Sequence, residues 1–200
     1  MRILLLVCTL LTTSALAQTP FAEQLAQHRE TYRKELLDSA GGPLKATTDL
    51  AYIHFYEPDS TYRIIATAER TVNAEPFDMP TYSGKTKEHV AYAVLSFVLD
   101  GKPQQLTVYR SLNLMKVPNY RDYLFLPFKD ATSGKETYGG GRYIDFRTGD
   151  IKDGKVTLDF NRAYNPYCAY QEGYSCPIPP RNNMLSVAIE AGEKTYEKDH

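Results

Sequence analysis

The hydrophobic pattern predicts one helix near the start of the chain, from Phe21 to Leu37. Its apolar residues recur at helical spacing, with glutamate, arginine and lysine between them, at Phe21, Leu25, Tyr32 and Leu36. Pro20 suits the first helical turn, where a missing N–H costs little. The sequence SAGGP at 39–43 then ends the helix, because glycine and proline interrupt helical backbone.

After Pro43 the apolar residues recur with a period of two, which predicts strands. The predicted strands are 50–56, 62–68, 91–99, 106–112, 123–128, 143–146, 156–160 and 185–189. Asp100-Gly101 and Asp153-Gly154 favour tight turns, and 73–80 is predicted as a loop. The pattern predicts a mostly β fold, an antiparallel sandwich or partly closed barrel of about eight strands with one N-terminal helix.

The segment before the helix has the pattern of an export signal. Arg2 precedes an apolar run, Ile3–Leu11, that is shorter than the ~20 residues needed to span a bilayer. Ala15-Leu16-Ala17 matches a cleavage site, so we expect removal of residues 1–17 and a mature chain that begins at Gln18. An uncleaved membrane anchor is the alternative. Export predicts a location in the periplasm or outside the cell, and residues 18–200 show no linker, which predicts a single domain.

Charge and motifs narrow the classes of function. The chain has 23 Lys plus Arg against 24 Asp plus Glu, so we expect no nucleic-acid partner. No stretch after the export signal is apolar for long enough to predict a membrane span. Ser133-Gly134-Lys135 lacks the other residues of a phosphate-binding loop and is better interpreted as a turn with Gly134 at positive φ. We predict no cofactor, and since no nucleophile motif appears, the catalytic residues and enzyme status stay open.

Two cysteines remain after the export signal, Cys168 and Cys176. An even number of cysteines in an exported chain predicts a disulfide, because the compartment is oxidising. Half of a zinc site and a pair of free, buried thiols are the alternatives. His54 and His89 do not stand at ligand spacings, so no metal site is predicted.

The stretch from Tyr138 to Arg181 holds the candidate ligand-binding residues. Three glycines at 139–141 permit close approach to the backbone, and Arg142 adds a bidentate donor for a carboxylate or phosphate. The alternative is a glycine-rich start of a strand, with Arg142 paired to Asp145 or Glu136. The segment 161–170 carries several amides and phenols, and prolines in this region stiffen the backbone that would hold them in a site. The alternative is that these side chains satisfy unpaired backbone groups. The candidates are Tyr138, Arg142, Asn161, Asn165 and Tyr170.

Several motifs resemble one family. They are DATSGKETYGGGRY at 130–143, LDFN at 158–161, NPYCAY at 165–170, CPIPP at 176–180 and AGEK at 191–194. On these motifs the chain is similar to the family called domain of unknown function 1684. The resemblance implies a bacterial protein of the uncharacterised family, and it supplies no activity. It also implies that a group of residues belongs together, namely Arg142, Asn161, Asn165, Cys168, Tyr170 and Cys176.

The leading hypothesis is an exported domain with a small-ligand site, binding or enzymatic, in the Tyr138–Arg181 region. The partner that Arg142 predicts is a small anion. The alternative is a non-catalytic envelope protein, structural or interacting, in which these motifs serve the fold. A cavity ringed by Arg142, Asn161, Asn165 and Tyr170 would favour the first, and burial with mutual hydrogen bonding would favour the second.

Overall fold

The computed structural model describes residues 20–38 and 40–198. Helix α1 spans Pro20–Leu36 and confirms the predicted helix. It buries Leu25 and Leu36, and Tyr32 packs beside Leu36 in an apolar cluster beneath the helix. The export signal predicted at 1–17 lies outside the described residues.

A seven-stranded antiparallel sheet forms the body of the molecule, in the order β6-β5-β4-β3-β1-β7, with β2 also paired to β3. The strands are β1 Arg63–Arg70, β2 Phe77–Pro80, β3 Thr86–Leu99, β4 Lys102–Ser111, β5 Tyr123–Phe128, β6 Arg142–Arg147 and β7 Lys155–Asp159. The sheet curls into a half-barrel, which confirms the mostly β, partly closed architecture.

Both predicted aspartate–glycine turns are formed, the first between β3 and β4 and the second immediately before β7. Asp100 and Gly101 have φ values of 49° and 69°, and Asp153 and Gly154 have 50° and 69°. Positive φ at both positions suits the twist of a two-residue hairpin. The first of these turns fixes the long β3–β4 hairpin at the centre of the sheet.

The sheet buries side chains on both faces. On the inner face, Leu95, Leu106, Leu124 and Leu158 belong to the main core. The outer face is the opposite side, where Tyr109, Phe125 and Tyr143 pack together. Because side chains alternate along a strand, β5 and β6 contribute to both layers. Helix α1 and the segment after β7 cover this outer face.

The segment predicted as a strand at 50–56 is instead a 3-10 helix, Thr47–Tyr52, followed by extended backbone. Leu50 and Ile53 lie three residues apart and both pack beneath α1, which suits a 3-10 turn better than a strand. The Asp49 carboxylate accepts from Ala46 N at 3.3 Å and so closes the turn.

Two further predictions of secondary structure were wrong. Residues 77–80, predicted within a loop, pair with β3, and Pro80 is tolerated at the end of this peripheral strand. Residues 185–189 have the predicted alternating burial but belong to no strand of the sheet. Their backbone bonds to the segment after β5, from Leu185 N to the Lys129 carbonyl and from Ala131 N to the Val187 carbonyl, while the Ile189 carbonyl accepts from the Arg142 side chain.

Candidate functional site

Arg142, at the start of β6, is completely buried. Its Nη2 donates to Asp130 Oδ2 at 3.0 Å and to the Ile189 carbonyl at 2.9 Å, and its Nη1 donates to the carbonyls of Ala191 and Glu193. Burial lowers the pKa of Arg142, while the Asp130 charge opposes that change. The carboxylate that pairs with Arg142 is Asp130, and neither Asp145 nor Glu136 as expected. These contacts favour the interpretation in which Arg142 serves the fold.

The glycines before Arg142 permit close packing within the protein. Gly141 has φ +91°, and a Cβ atom on it would lie 2.6 Å from the Phe128 carbonyl oxygen and 2.8 Å from Pro179 Cγ. A Cβ atom on Gly140 would lie 2.2 Å from the Tyr138 ring. The space that the sequence suggested for a ligand is therefore filled by neighbouring residues.

The two predicted asparagines are also buried. Asn161 accepts from Asp59 N at 3.0 Å and donates to the Asp59 carbonyl at 2.8 Å, which fixes the loop before β1. Asn165 Nδ2 donates to the Lys194 carbonyl at 2.7 Å, and Asn165 N donates to Glu193 Oε2 at 2.8 Å. Both amides satisfy backbone groups of distant segments, which is the alternative interpretation of this region.

Tyr170 belongs to a buried cluster around Glu193. Its hydroxyl donates to Glu193 Oε1, the Tyr32 hydroxyl donates to Glu193 Oε2 at 2.9 Å, and the two hydroxyl oxygens lie 2.6 Å apart. Burial raises the pKa of Glu193 to about 7, although these hydrogen bonds oppose the shift. Arg142, Asn161, Asn165 and Tyr170 thus do not converge on a cavity, and for them a ligand-binding role stays a prediction.

The sulfur atoms of Cys168 and Cys176 lie at disulfide distance, and their Cα atoms are 6.3 Å apart. No group of three or more histidine, cysteine or acidic residues suited to a metal ion occurs within 20–38 and 40–198. No helix in those same ranges is both long and apolar enough to cross a membrane.

A half-open cavity of about 660 Å³ lies over the outer face of the sheet. Strands β3, β5 and β6 form its floor with Lys87, His89, Tyr123, Phe125, Tyr143 and Asp145. Helix α1 covers it with His28, Thr31, Tyr32 and Glu35. The segment after β7 closes the sides with Arg162, Tyr164, Tyr167, Tyr174, Ser175, Cys176 and Pro177. Nine of these seventeen residues fall within Tyr138–Arg181, the region that the sequence indicated.

Strand pairing places Asp145 at the floor of this cavity. Asp145 pairs with Phe125, which pairs with Tyr109, so the three side chains project from the same face. Tyr123 OH and Tyr164 OH both donate to Asp145 Oδ1, at 2.7 Å and 2.8 Å. Among the described residues, none donates a hydrogen bond to Asp145 Oδ2.

The environment of Asp145 changes its acidity. Protein atoms surround the carboxyl closely, yet it remains accessible because it faces the cavity. Loss of hydration raises the pKa of Asp145 to about 6, and hydrogen bonds from Tyr123 and Tyr164 partly oppose this shift. The surroundings of Asp145 therefore raise its pKa above that of an ordinary surface aspartate.

Two histidines face the cavity as mainly neutral groups. His89 is buried, and its Nδ1 lies 2.8 Å from the Lys87 carbonyl, which only accepts, so Nδ1 carries the proton in the neutral ring. Desolvation lowers the pKa of His89, and desolvation together with the charge of Arg162 lowers that of His28. Desolvation also lowers the pKa of Lys87.

The sequence interpretation missed Asp145, Tyr123, His89 and the helix residues of this site. Asp145 entered as an alternative partner for Arg142 and as one of a possible pair of acids with Asp159, but not among the candidate site residues. One signal was present in β6, where Tyr143 and Asp145 alternate with Arg142, Ile144 and Phe146. That alternation puts an acidic and an aromatic side chain together on the face opposite the main core.

The protein is thus a curled antiparallel sheet with an aromatic-lined cavity between the sheet and helix α1. Residues 48–194 match the family described as Protein of unknown function (DUF1684), so the chain belongs to that family and the resemblance is confirmed. The solution NMR structure of an uncharacterized protein of Haloarcula marismortui is similar, with 33% identity and a TM-score of 0.66. That match covers 88% of this chain and 97% of the other. No curated protein matches the sequence.

Proposed function

We propose that this protein binds a small organic ligand in the cavity between α1 and the outer face of the sheet. The observation that carries the proposal is Asp145, which faces the cavity with Oδ1 held by two phenols and Oδ2 left to a ligand. A volume of about 660 Å³ lies within the roughly 300–1,000 Å³ of small-molecule sites.

The composition of the walls supports binding of a compact organic molecule. Tyr32, Phe125, Tyr143 and Tyr164 give apolar surface, and charged and polar side chains stand among them. Small-molecule sites have this character, because apolar walls supply affinity and a few placed polar groups supply specificity. Arg142 is buried outside this cavity and plays no part in the proposal.

We also propose that the protein is exported. The signal pattern at 1–17 and the paired cysteines are both compatible with action in the periplasm or outside the cell. The mass of the protein recovered from the envelope or medium tests this point. We expect a mature chain that begins at Gln18, and recovery of an intact chain from Met1 would contradict it.

Two tryptophan variants on α1 test the binding site. Thr31 lines the cavity, so Thr31→Trp should obstruct it, whereas Gln27, also exposed on α1, is not among the cavity-lining residues and supplies the control Gln27→Trp. A library of small cationic, anionic and neutral fragments is screened by ligand-observed NMR. We expect fragments that bind wild type and Gln27→Trp and fail to bind Thr31→Trp. Equal binding to both variants, or no bound fragment, would contradict the proposal.

A further inference from the structure

Asp145 lies among aromatic rings. Phe125 and Tyr143 flank it on the sheet and contact each other edge to face, with ring centroids 4.6 Å apart. Tyr164 contacts Tyr143 with a centroid distance of 5.9 Å and donates its hydroxyl to the carboxylate. Since the face of an aromatic ring is negative, these rings and the carboxylate create the same sign of potential.

The nearest charged groups keep that potential negative. Glu35 on α1 also lines the cavity, and its charge further raises the pKa of Asp145. Arg147 has the opposite effect, but its guanidinium is bound to Asp122 Oδ1 at 2.7 Å and does not line the cavity. Two carboxylates therefore face this end of the cavity while the neighbouring arginine is already neutralised.

The basic residues that line the cavity are Arg162 and Lys87. Arg162 lies 4.0 Å from the Asp159 carboxylate, and Lys87 lies on β3. Strands β4 and β5 separate β3 from β6, which puts Lys87 about 14 Å across the sheet from the strand of Asp145. His28 and His89 have lowered pKa values and add little positive charge near neutral pH.

From this arrangement we infer that the ligand is an organic cation, whose ammonium group binds Asp145 Oδ2 within the rings of Phe125, Tyr143 and Tyr164. The inference rests on the proposed function, since it names the ligand class of the same cavity. An ammonium group satisfies the free carboxylate oxygen, and ring faces attract it further. A carboxylate or phosphate ligand would instead meet two like charges at this end.

Three probes of similar size separate charge from hydrogen bonding. Benzylammonium carries a positive charge and N–H donors, benzyl alcohol keeps a donor without the charge, and benzoate carries the opposite charge. Calorimetry at pH 7.5 on the mature chain gives their dissociation constants. We expect benzylammonium to bind about ten-fold or more tightly than benzyl alcohol, with benzoate the weakest.

Charge variants connect the preference to Asp145. Asp145→Asn should weaken benzylammonium binding about ten-fold and change benzyl alcohol binding less than about two-fold, because it removes charge at nearly constant shape. Glu30→Gln removes the same charge from an exposed position of α1 outside the cavity, so it should change neither constant appreciably.

The outcomes distinguish this inference from the proposed function. If benzyl alcohol or benzoate binds as tightly as benzylammonium and Thr31→Trp abolishes that binding, the cavity binds ligands but the cation inference is wrong. Benzylammonium binding that survives in Asp145→Asn, or no detectable benzylammonium binding, also overturns it. If Thr31→Trp weakens no probe, both the inference and the proposed function fail.

Discussion

The Tyr164 hydroxyl donates a 2.8 Å hydrogen bond to Asp145 Oδ1 and so ties the segment after β7 to the floor of the cavity. A hydrogen bond to the ionised carboxylate favours that form, and both Tyr164 and Tyr123 lower the pKa of Asp145 against the larger effect of desolvation. The acidity of Asp145 is therefore set jointly by its strand and by the segment that covers it.

Removing the Tyr164 hydroxyl should raise the pKa of Asp145 above its wild-type value of about 6. Tyr164→Phe keeps the ring and deletes only the donor, so the ionised carboxylate loses one stabilising contact. Carbon-detected NMR titration of the Asp145 carboxyl measures the change. Tyr174→Phe is the control, because Tyr174 lines the same cavity without donating to Asp145. An unchanged pKa in Tyr164→Phe would show that the hydrogen bond is not formed.

Stability should fall as pH rises through the titration range of Glu193. Its folded-state pKa of about 7 lies above the ordinary 4.5, so the folded protein binds the proton more tightly than the unfolded chain. The free energy of unfolding contributed by this group is thus greatest below about 4.5 and declines until about 7. Urea titrations of wild type and Glu193→Gln across this range should show a shallower decline in the variant.

Glu190→Gln is the matched control for that experiment, because Glu190 is exposed on the same C-terminal segment. It should retain the wild-type pH dependence. A Glu193→Gln curve parallel to that of Glu190→Gln would contradict the assignment of a raised pKa to Glu193.

Arg142→Ala should destabilise the protein by about 3–5 kcal/mol, because it leaves a buried Asp130 charge without its partner. Arg181→Ala, at an exposed position, should change stability by less than about 1 kcal/mol. Thermal and urea unfolding measure both variants, with and without phosphate or sulfate. A small loss of stability in Arg142→Ala, joined to loss of anion-dependent stabilisation, would instead support the anion-binding role predicted from the sequence.

The cysteine pair should be oxidised in exported protein. Thiol titration under denaturing, non-reducing conditions should find no free thiol on Cys168 or Cys176. Removing the bridge, as in Cys168→Ala with Cys176→Ala, should cost on the order of 2–3 kcal/mol through the unfolded chain. Two free thiols per mature chain would contradict the bridge.

The sequence predicted the helix and most strands because their periodicity is strong and local. Strands β3, β5 and β6 and the turn at Asp100-Gly101 follow directly from alternation and turn residues. The segment at 185–189 shows the limit of that reasoning. Its alternating burial was predicted correctly, but it forms no strand of the sheet. Its backbone partners are residues 129–131 and the Arg142 guanidinium, which are distant in the chain and which periodicity does not report.

The sequence indicated Tyr138–Arg181 as the candidate region, and the cavity proposed here as a site has residues both inside and outside it. Glycines beside Arg142 suggested an open backbone, whereas Phe128, Pro179 and Asp130 fill the surroundings. The role of Asp145 depends on its pairing with β5 and on cover from α1, both set by contacts distant in sequence. Such contacts decide whether a polar residue in a strand faces water, a ligand or the interior.

The most direct test of the account is the pKa of Asp145 measured by carboxyl NMR with and without benzylammonium. Binding of a cation to the ionised carboxylate must favour that form, so a ten-fold preference lowers the pKa by about one unit. We predict a pKa of about 6 in the free protein and a fall of about one unit or more at saturation. A pKa that stays unchanged when benzylammonium is bound would contradict the central claim that Asp145 receives the ligand.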